Sequence, residues 1–339
     1  MADKRRRVLS LIGAGVGLAV LASACGHKQA GSVPEVKGPT IAMLQMVDAP
    51  PPNEVRRGFI DALAKAGYVQ GKTVNFVQKD AAGELPNTSL IMKQFVGDGA
   101  SMIFAIGTPP LQAAMKEVPG KTPVVFAYSS NPWGAGAGTS PGGVGQHRPN
   151  VVGTIGTNPV AEELDLAREI NPALKTVGLI FNPGEPNSEY EAKILGKAAQ
   201  ERGITVVQQA VANSGEVLQA AQALAEKKVE AYVKIGDYAT IQAFSSICKV
   251  GLENRIPVYS VDPPDIDLPG CLAVIGWNYR DDGMAAGRLA VRVLKGESPA
   301  KMAFEPLTKT DLLVSEATAK AIGVTLPSAL VARANQVVR

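Results

Sequence analysis

The chain has 339 residues, 34 basic and 31 acidic side chains, 46% apolar residues and only 5% aromatic ones. That length suffices for two domains with separate cores, and the composition is ordinary for an α/β protein. Four basic residues and Asp3 lie in the first 24 positions; without that segment 315 residues remain, with 30 charges of each sign. This balance, with no basic patch interleaved by aromatic residues, excludes the electrostatic footprint of a nucleic-acid binder.

Residues 1–24 read as a lipoprotein signal peptide. Lys4-Arg5-Arg6-Arg7 is a basic n-region, Val8 to Leu21 is apolar, and Ala22-Ser23-Ala24 leads into Cys25. A cysteine at this place resembles the bacterial lipobox, which implies lipid modification of Cys25 and export to the periplasmic face of the membrane. The apolar run is too short for a spanning helix to be the first choice. Residues 25–38 are small or polar and read as a tether. Cys248 and Cys271 remain as an even pair, which in an exported protein fits either a disulfide or two buried thiols.

From Thr40 the pattern alternates between short apolar runs and helical periodicity. Strands are expected over Thr40–Val47, Thr73–Val77, Ser101–Ile106 and Thr122–Phe126. Between them, Asn53 reads as the cap of a helix, Leu90 to Val96 carry a second, and Thr108-Pro109 starts a third. This is the signature of a parallel sheet with right-handed crossovers. The Gly-, Ser- and Pro-rich stretch Tyr128–Pro149 reads as a loop, and a strand resumes at Val151–Ile155.

A second unit of the same kind follows. Strand Thr176–Phe181 leads through Asn182-Pro183-Gly184-Glu185-Pro186-Asn187-Ser188 into a helix, with Ser188 and Glu191 spaced as a capping box. Strands Thr205–Gln209, Ala231–Ile235, Pro257–Val261 and Leu272–Ile275 alternate with helices, one of them capped by Asp237. Helix Gly283–Leu294 closes at Gly296. An extended tail, Ala303–Val314, and a short helix, Glu316–Ile322, complete the pattern.

Several motifs fail on context. Gly67 to Thr73 imitates a phosphate loop, but it has one residue too few between its glycines and precedes a strand. The glycines of 134–145 open no helix after a strand. Histidine occurs only as His27 and His147, with no Gly-x-Ser-x-Gly elbow for a nucleophilic serine and no metal-ligand spacing. No cofactor, metal or catalytic group is expected. What remains is a set of short polar residues at the carboxyl ends of strands: Gln45, Thr108, Ser130 and Asn131 in the first unit, and Asn187, Ser188, Asp237 and Asp262 in the second. Each can serve as a cap or turn residue. If the two units face each other, all converge on one cleft, where hydroxyls and helix N-termini suit a carboxylate and Asp237 or Asp262 an ammonium group.

In this order and spacing, the stretches Leu44-Gln45, Gly58-Phe59-Ile60-Asp61, Ala66-Gly67-Tyr68, Thr108-Pro109, Asn182 to Ser188, Asp237, Asp262, Gly276 with Tyr279, and Val293-Leu294-Lys295-Gly296 carry a resemblance. They resemble the substrate-binding lipoproteins of ABC transporters with the type I periplasmic-binding-protein fold, in the branch with tryptophan and other aromatic amino-acid binders. The resemblance implies two doubly wound Rossmann-like lobes with parallel sheets and a ligand cleft at a three-strand hinge. The N-terminal lobe would be 39–154 plus 280–302, and the C-terminal lobe 155–279 plus 303–339. It implies that Gln45, Thr108, Ser130, Asn187, Ser188, Asp237 and Asp262 line the cleft. It further implies a monomer that binds a small polar organic ligand, such as an amino acid, by hinge closure and hands it to a membrane permease, with membrane contact through the lipid anchor only. A ligand-sensing receptor without transport and a periplasmic enzyme are the alternatives. The chain departs from the family pattern around the pocket: Asn131 stands where Asp is usual, Ala49 where His is common, and Tyr238 where Asn is usual. Trp133 or Tyr238 would supply a stacking face or belong to a lobe core.

Overall fold

The computed structural model of the protein describes residues 38–140 and 142–339. The expected signal peptide, Cys25 and the tether up to residue 37 lie outside them. The first lobe begins with β1 (Thr40–Gln45), α1 (Pro50–Lys65), β2 (Asn75–Asp80), α2 (Leu85–Gly97), β3 (Met102–Ile106), α3 (Thr108–Glu117), β4 (Val124–Ser129) and β5 (Val151–Ile155). The chain then builds the second lobe from α4 (Val160–Ile170), β6 (Thr176–Phe181), α5 (Pro186–Glu201), β7 (Thr205–Ala210), α6 (Val217–Glu226), β8 (Tyr232–Val233), α7 (Tyr238–Asn254), β9 (Val258–Ser260) and β10 (Cys271–Trp277). It returns for α8 (Tyr279–Leu294) and β11 (Glu305–Pro306), and ends with β12 (Thr310–Ser315), α9 (Glu316–Ile322), α10 (Ser328–Arg333) and β13 (Gln336–Val338).

Among the described residues the first sheet runs β11-β5-β4-β3-β1-β2, all parallel, and the second β13-β12-β10-β9-β8-β6-β7, with only β12 antiparallel to its neighbour β10. Parallel strands covered on both faces need unbroken apolar runs, and β3, Met-Ile-Phe-Ala-Ile, is buried at every position. In the first lobe α1 and α8 cover one face through Val55, Phe59, Leu63 and Leu289, with Phe59 stacked on Phe104 at 3.7 Å; α2 and α3 cover the other through Met92, Phe95 and Leu111. In the second lobe α4, α5, α9 and α10 lie on one face, and α6 and α7 on the other. The expected α/β architecture of two doubly wound lobes is the one observed.

The lobes exchange chain after β5, after β10 and after β11. The last exchange differs from expectation. Glu305 and Pro306 pair with Thr154 and Ile155, and Met302 and Phe304 are buried in the first lobe, so the chain crosses between Pro306 and Thr310 and not near Met302. Residues 303–306 therefore belong to the first lobe.

Local signals were shifted at helix starts. α5 begins at Pro186, so Ser188 lies within its first turn and the Ser188–Glu191 capping box does not form. α3 begins at Thr108 itself, after Gly107 at φ 105°, and α1 begins at Pro50, which places Asn53 inside the helix. Asp237 does cap α7, accepting the Thr240 N–H at 2.7 Å. Trp133 stacks on Phe304 at 5.9 Å and packs with the first-lobe core. Cys248 and Cys271 are buried free thiols in one core cluster, the second of the two alternatives, and no disulfide joins them. Burial pushes the Cys248 thiol up to about 12 and that of Cys271 well above its usual value, as for small apolar core residues.

The seam between α1 and α8 depends on two glycines. A Cβ at Gly283 would lie 1.9 Å from the Val55 carbonyl oxygen, and one at Gly58 would lie 2.0 Å from that of Arg280. Backbone cannot yield as a flexible side chain can, so the helices would have to separate. Gly283→Ala is expected to lower the unfolding free energy by about 1–3 kcal/mol, the usual cost of overpacking. Urea titration checks this; an unchanged midpoint would show that the seam opens without cost.

Candidate functional site

The strands of both lobes point their carboxyl ends toward the space between the lobes, where open α/β sheets place their ligands. At the end of β4 the register with β5 shifts between Phe126 and Ser129. Within that irregularity Tyr128 takes φ 56°, an uncommon conformation for a residue with a side chain. Its N–H donates to Asp282 at 3.0 Å, and Asp282 also accepts the Thr154 hydroxyl at 2.5 Å. Burial pushes the Asp282 carboxyl up to about 6. These bonds from α8 hold the kink and turn the Tyr128 ring into the cleft, edge-on to Tyr279 at 5.0 Å and to Tyr238 at 6.4 Å.

Below this ring lies a small cavity lined by Tyr128, Ser130 and Gly156 from one side and by Asn158, Asn187, Glu191, Gly236, Tyr238 and Ile241 from the other. It offers about 10 Å³ to the centre of a water-sized group, close to the minimum for one such group. Four buried polar atoms of its lining have no hydrogen-bond partner: Tyr128 Oη, Ser130 Oγ, Asn158 Oδ1 and Asn187 Oδ1. The amide orientations are fixed by their other ends. Asn187 Nδ2 donates to the Gly236 carbonyl at 2.7 Å, and Asn158 Nδ2 donates to Glu191 at 3.1 Å. Both amide oxygens are therefore free acceptors.

Glu191 is fully buried beside them. Its carboxylate accepts the Gly236 N–H at 2.6 Å and the Asn158 N–H at 3.2 Å, and Ser130 Oγ lies next to it outside good hydrogen-bond geometry. Burial raises its pKa, and these donors only partly offset the rise. Every free polar atom of the cavity can accept a hydrogen bond, and a carboxylate stands among them. Such a cavity complements a donor-rich cation.

Of the residues expected in the cleft, Ser130 and Asn187 reach this cavity. The others spend their polar atoms inside one lobe. Gln45 donates to the Val47 carbonyl at 2.8 Å and to Asn53 at 3.0 Å, and accepts from Arg56 at 2.5 Å. Thr108 pairs with Ser129 at 3.1 Å, and Asn131 turns away to accept the Gly134 N–H at 2.8 Å. Ser188 donates to Asp237 at 2.7 Å, and Asp237 also holds the Asn182 N–H at 2.6 Å besides capping α7. Of the two residues expected to suit an ammonium group, Asp237 is hydrogen-bonded within the second lobe and Asp262 is ion-paired with Lys234.

Asp262 belongs to a buried ionic cluster that sequence reasoning missed. Lys234 Nζ lies 2.6 Å from Asp262 and 2.5 Å from Asp265, and 4.2 Å from the centre of the Phe244 ring. Tyr279 donates its hydroxyl to Asp262. Burial alone would favour neutral lysine, but the charges of the two aspartates outweigh it and raise the Lys234 pKa above its usual value. A readable signal existed: a lysine inside the apolar run Ala231–Ile235 needs a buried partner. For Glu191 the signal was Pro186, whose fixed φ suits a first helical position and places Ser188 too late for a cap.

The α7 N-terminus is likewise filled from within. Glu185 accepts the N–H groups of Tyr238 at 2.9 Å and Ala239 at 3.3 Å. Its carboxyl is pushed up to about 8 by burial and by the charge of Asp237. The N-terminus of α3 carries Pro109 and Pro110, which have no N–H to offer. The helix ends expected to suit a ligand carboxylate are thus largely occupied or disarmed.

Two lobes of this topology, joined by three crossings around a buried polar cavity, define a solute-binding class of protein. The chain belongs to the family of ABC transporter substrate binding proteins, whose model matches residues 40–338. It is similar to a tyrosine-binding protein of Clostridioides difficile (strain R20291), at 30% identity over 94% of this chain and 93% of that one. Among solved structures it is similar to a conserved domain protein of Vibrio cholerae, at 28% identity, TM-score 0.84, and 88% and 99% coverage of the two chains. A Streptococcus pneumoniae domain in complex with L-Trp matches at 25% identity, TM-score 0.82, and 89% and 100% coverage. A ligand-free, open substrate-binding protein from Clostridium difficile matches at 30% identity with TM-score 0.67, covering 89% and 99%.

Removing one member of a buried ion cluster leaves uncompensated charge at a cost of about 3–5 kcal/mol. Lys234→Met is expected to destabilise the protein by that amount, measured by chemical denaturation at neutral pH. A loss under 1 kcal/mol would mean that Asp262 and Asp265 find other counter-charges.

Proposed function

We propose that this chain is the extracytoplasmic solute-binding component of an ABC importer, lipid-anchored through Cys25. It captures a small polar organic ligand bearing a protonated amine, an amino acid or similar compound, between its lobes and presents it to a membrane permease. The observation that carries this reading is the inter-lobe cavity in which Asn158, Asn187, Ser130 and Tyr128 hold polar atoms without partners around the buried carboxylate of Glu191.

The mechanism is hinge closure. Ser130 and Tyr128 come from the first lobe, and Asn187 and Glu191 from the second, so a ligand touches all of them only when the lobes meet. Contacts present in one state alone shift the population toward it. The better superposition on the L-Trp complex than on the open relative supports reading this arrangement as the closed one. No bond is made or broken in this scheme; the binding of amino acids by relatives supports it, and turnover of the bound compound by pure protein would overturn it. A micromolar ligand needs about 8 kcal/mol net.

Native mass spectrometry of protein purified without refolding is expected to show a bound amine-bearing mass. In calorimetry, Glu191→Gln should weaken that compound's binding at least tenfold. Affinity should also fall as pH is lowered. Only the carboxylate attracts the cation, and burial raises the Glu191 pKa, so the loss begins above the ordinary glutamate range. Affinity that stays flat down to that range would remove Glu191 from the site.

A further inference from the structure

Tyr238 is the residue whose size decides what else the cleft can hold. It stands at the start of α7 in the second lobe, yet its ring packs into the first. It clusters with Met46, Val47, Ala49 and Ala81, and its hydroxyl oxygen comes so close to Gly107 that a Cβ there would lie 1.9 Å away. The glycine at this point, with φ 105°, lets the backbone receive the phenol end. The side chain is 3% exposed. It is therefore a buried aromatic group inserted across the inter-lobe space.

Tyr238 lines two hollows: the acceptor-lined cavity, and one of about 190 Å³ that it shares with Gly83, Glu84, Asn182, Glu185 and Gln242. With the ring in place, the cavity has room for little more than an ammonium group. Truncating it would add the volume of an aromatic ring to a space that Tyr238 lines on both sides.

The geometry points to Tyr238 as the specificity-determining residue of the cleft: it occupies the volume of an aromatic side chain, so this chain selects a compact ammonium compound with no aromatic ring. This inference rests on the solute-binding reading given above and narrows its ligand class. A compact ammonium compound could be a small amino acid or a plain amine. The acceptors recognise what the two share, and Glu191 disfavours a carboxylate placed in the cavity itself.

Calorimetric titration with L-alanine, ethanolamine, putrescine, L-tyrosine and L-tryptophan tests it. The wild-type protein is expected to bind at least one of the three compact compounds and to bind both aromatic amino acids at least 100-fold more weakly. The compact compound that binds best separates an amino acid from an amine. Tyr238→Ala is expected to raise the affinity for L-tryptophan, relative to the compact compound, at least tenfold. If the alanine variant does not give a cooperative melting curve, Tyr238→Leu keeps the apolar contacts with a shorter side chain and should shift the same ratio in the same direction. Wild-type protein that prefers L-tyrosine or L-tryptophan, or a ratio unmoved in the folded variant, would overturn the role of Tyr238 while leaving solute binding intact. Binding of none of the five compounds by either protein would overturn the amine-binding reading itself and this inference with it.

Discussion

Buried carboxylates need donors, and in this protein they take nearly all the donors that face the cleft. Glu185 and Asp237 saturate the first turn of α7, Glu191 takes the amides of Gly236 and Asn158, and Asp282 takes the amide of Tyr128. A buried polar atom without a partner costs about 1–3 kcal/mol, so this arrangement is enforced wherever it is possible. Its consequence is the polarity of what is left. The unpaired atoms of the cavity are amide oxygens and hydroxyls beside a carboxylate, all able to accept hydrogen bonds.

The same constraint acts where the lobes join. Asp262 and Asp265 lie at the end of the second sheet and share the single charge of Lys234 from the neighbouring strand end. Tyr279, which opens α8 and returns the chain to the first lobe, ties itself to Asp262, and its ring meets Tyr128, which in turn meets Tyr238. One continuous column of charge and aromatic rings thus runs from the second-lobe sheet, past a crossing strand, into the cleft. Close-packed interiors do not deform smoothly, so a change at one member of this column is felt by its neighbours in both lobes.

Much of this was legible in the residues. The alternation of apolar runs with helical periodicity marked both lobes, because parallel strands and their covering helices impose different periods on a chain. The Pro- and Gly-rich loop Asn182 to Ser188 marked a strand-to-helix connection at a carboxyl edge, and Asp237 was readable as a cap. The misplaced helix starts share one cause. Ser188 with Glu191, and Thr108 before Pro109, satisfy local capping patterns, but Pro186 starts α5 two residues before Ser188, and α3 starts at Thr108 itself. A shift of two residues along a helix turns a side chain by more than half a circle. That shift sends Ser188 to Asp237 and frees Glu191 for the cavity.

The sequence by itself determined the two-lobe α/β architecture, the family and the loops at which the lobes meet, because periodicity, turn chemistry and motif order are properties of neighbouring residues. Tertiary structure decided which polar atoms stay free there. Asp237, Asp262 and Gln45 look available in a string of letters and are spent in the fold. Tyr128, Asn158 and Glu191 look incidental and are left facing the cavity. Whether a donor meets an acceptor depends on partners distant in the chain; Tyr128 and Asp282 lie 154 positions apart. No local pattern carries that information.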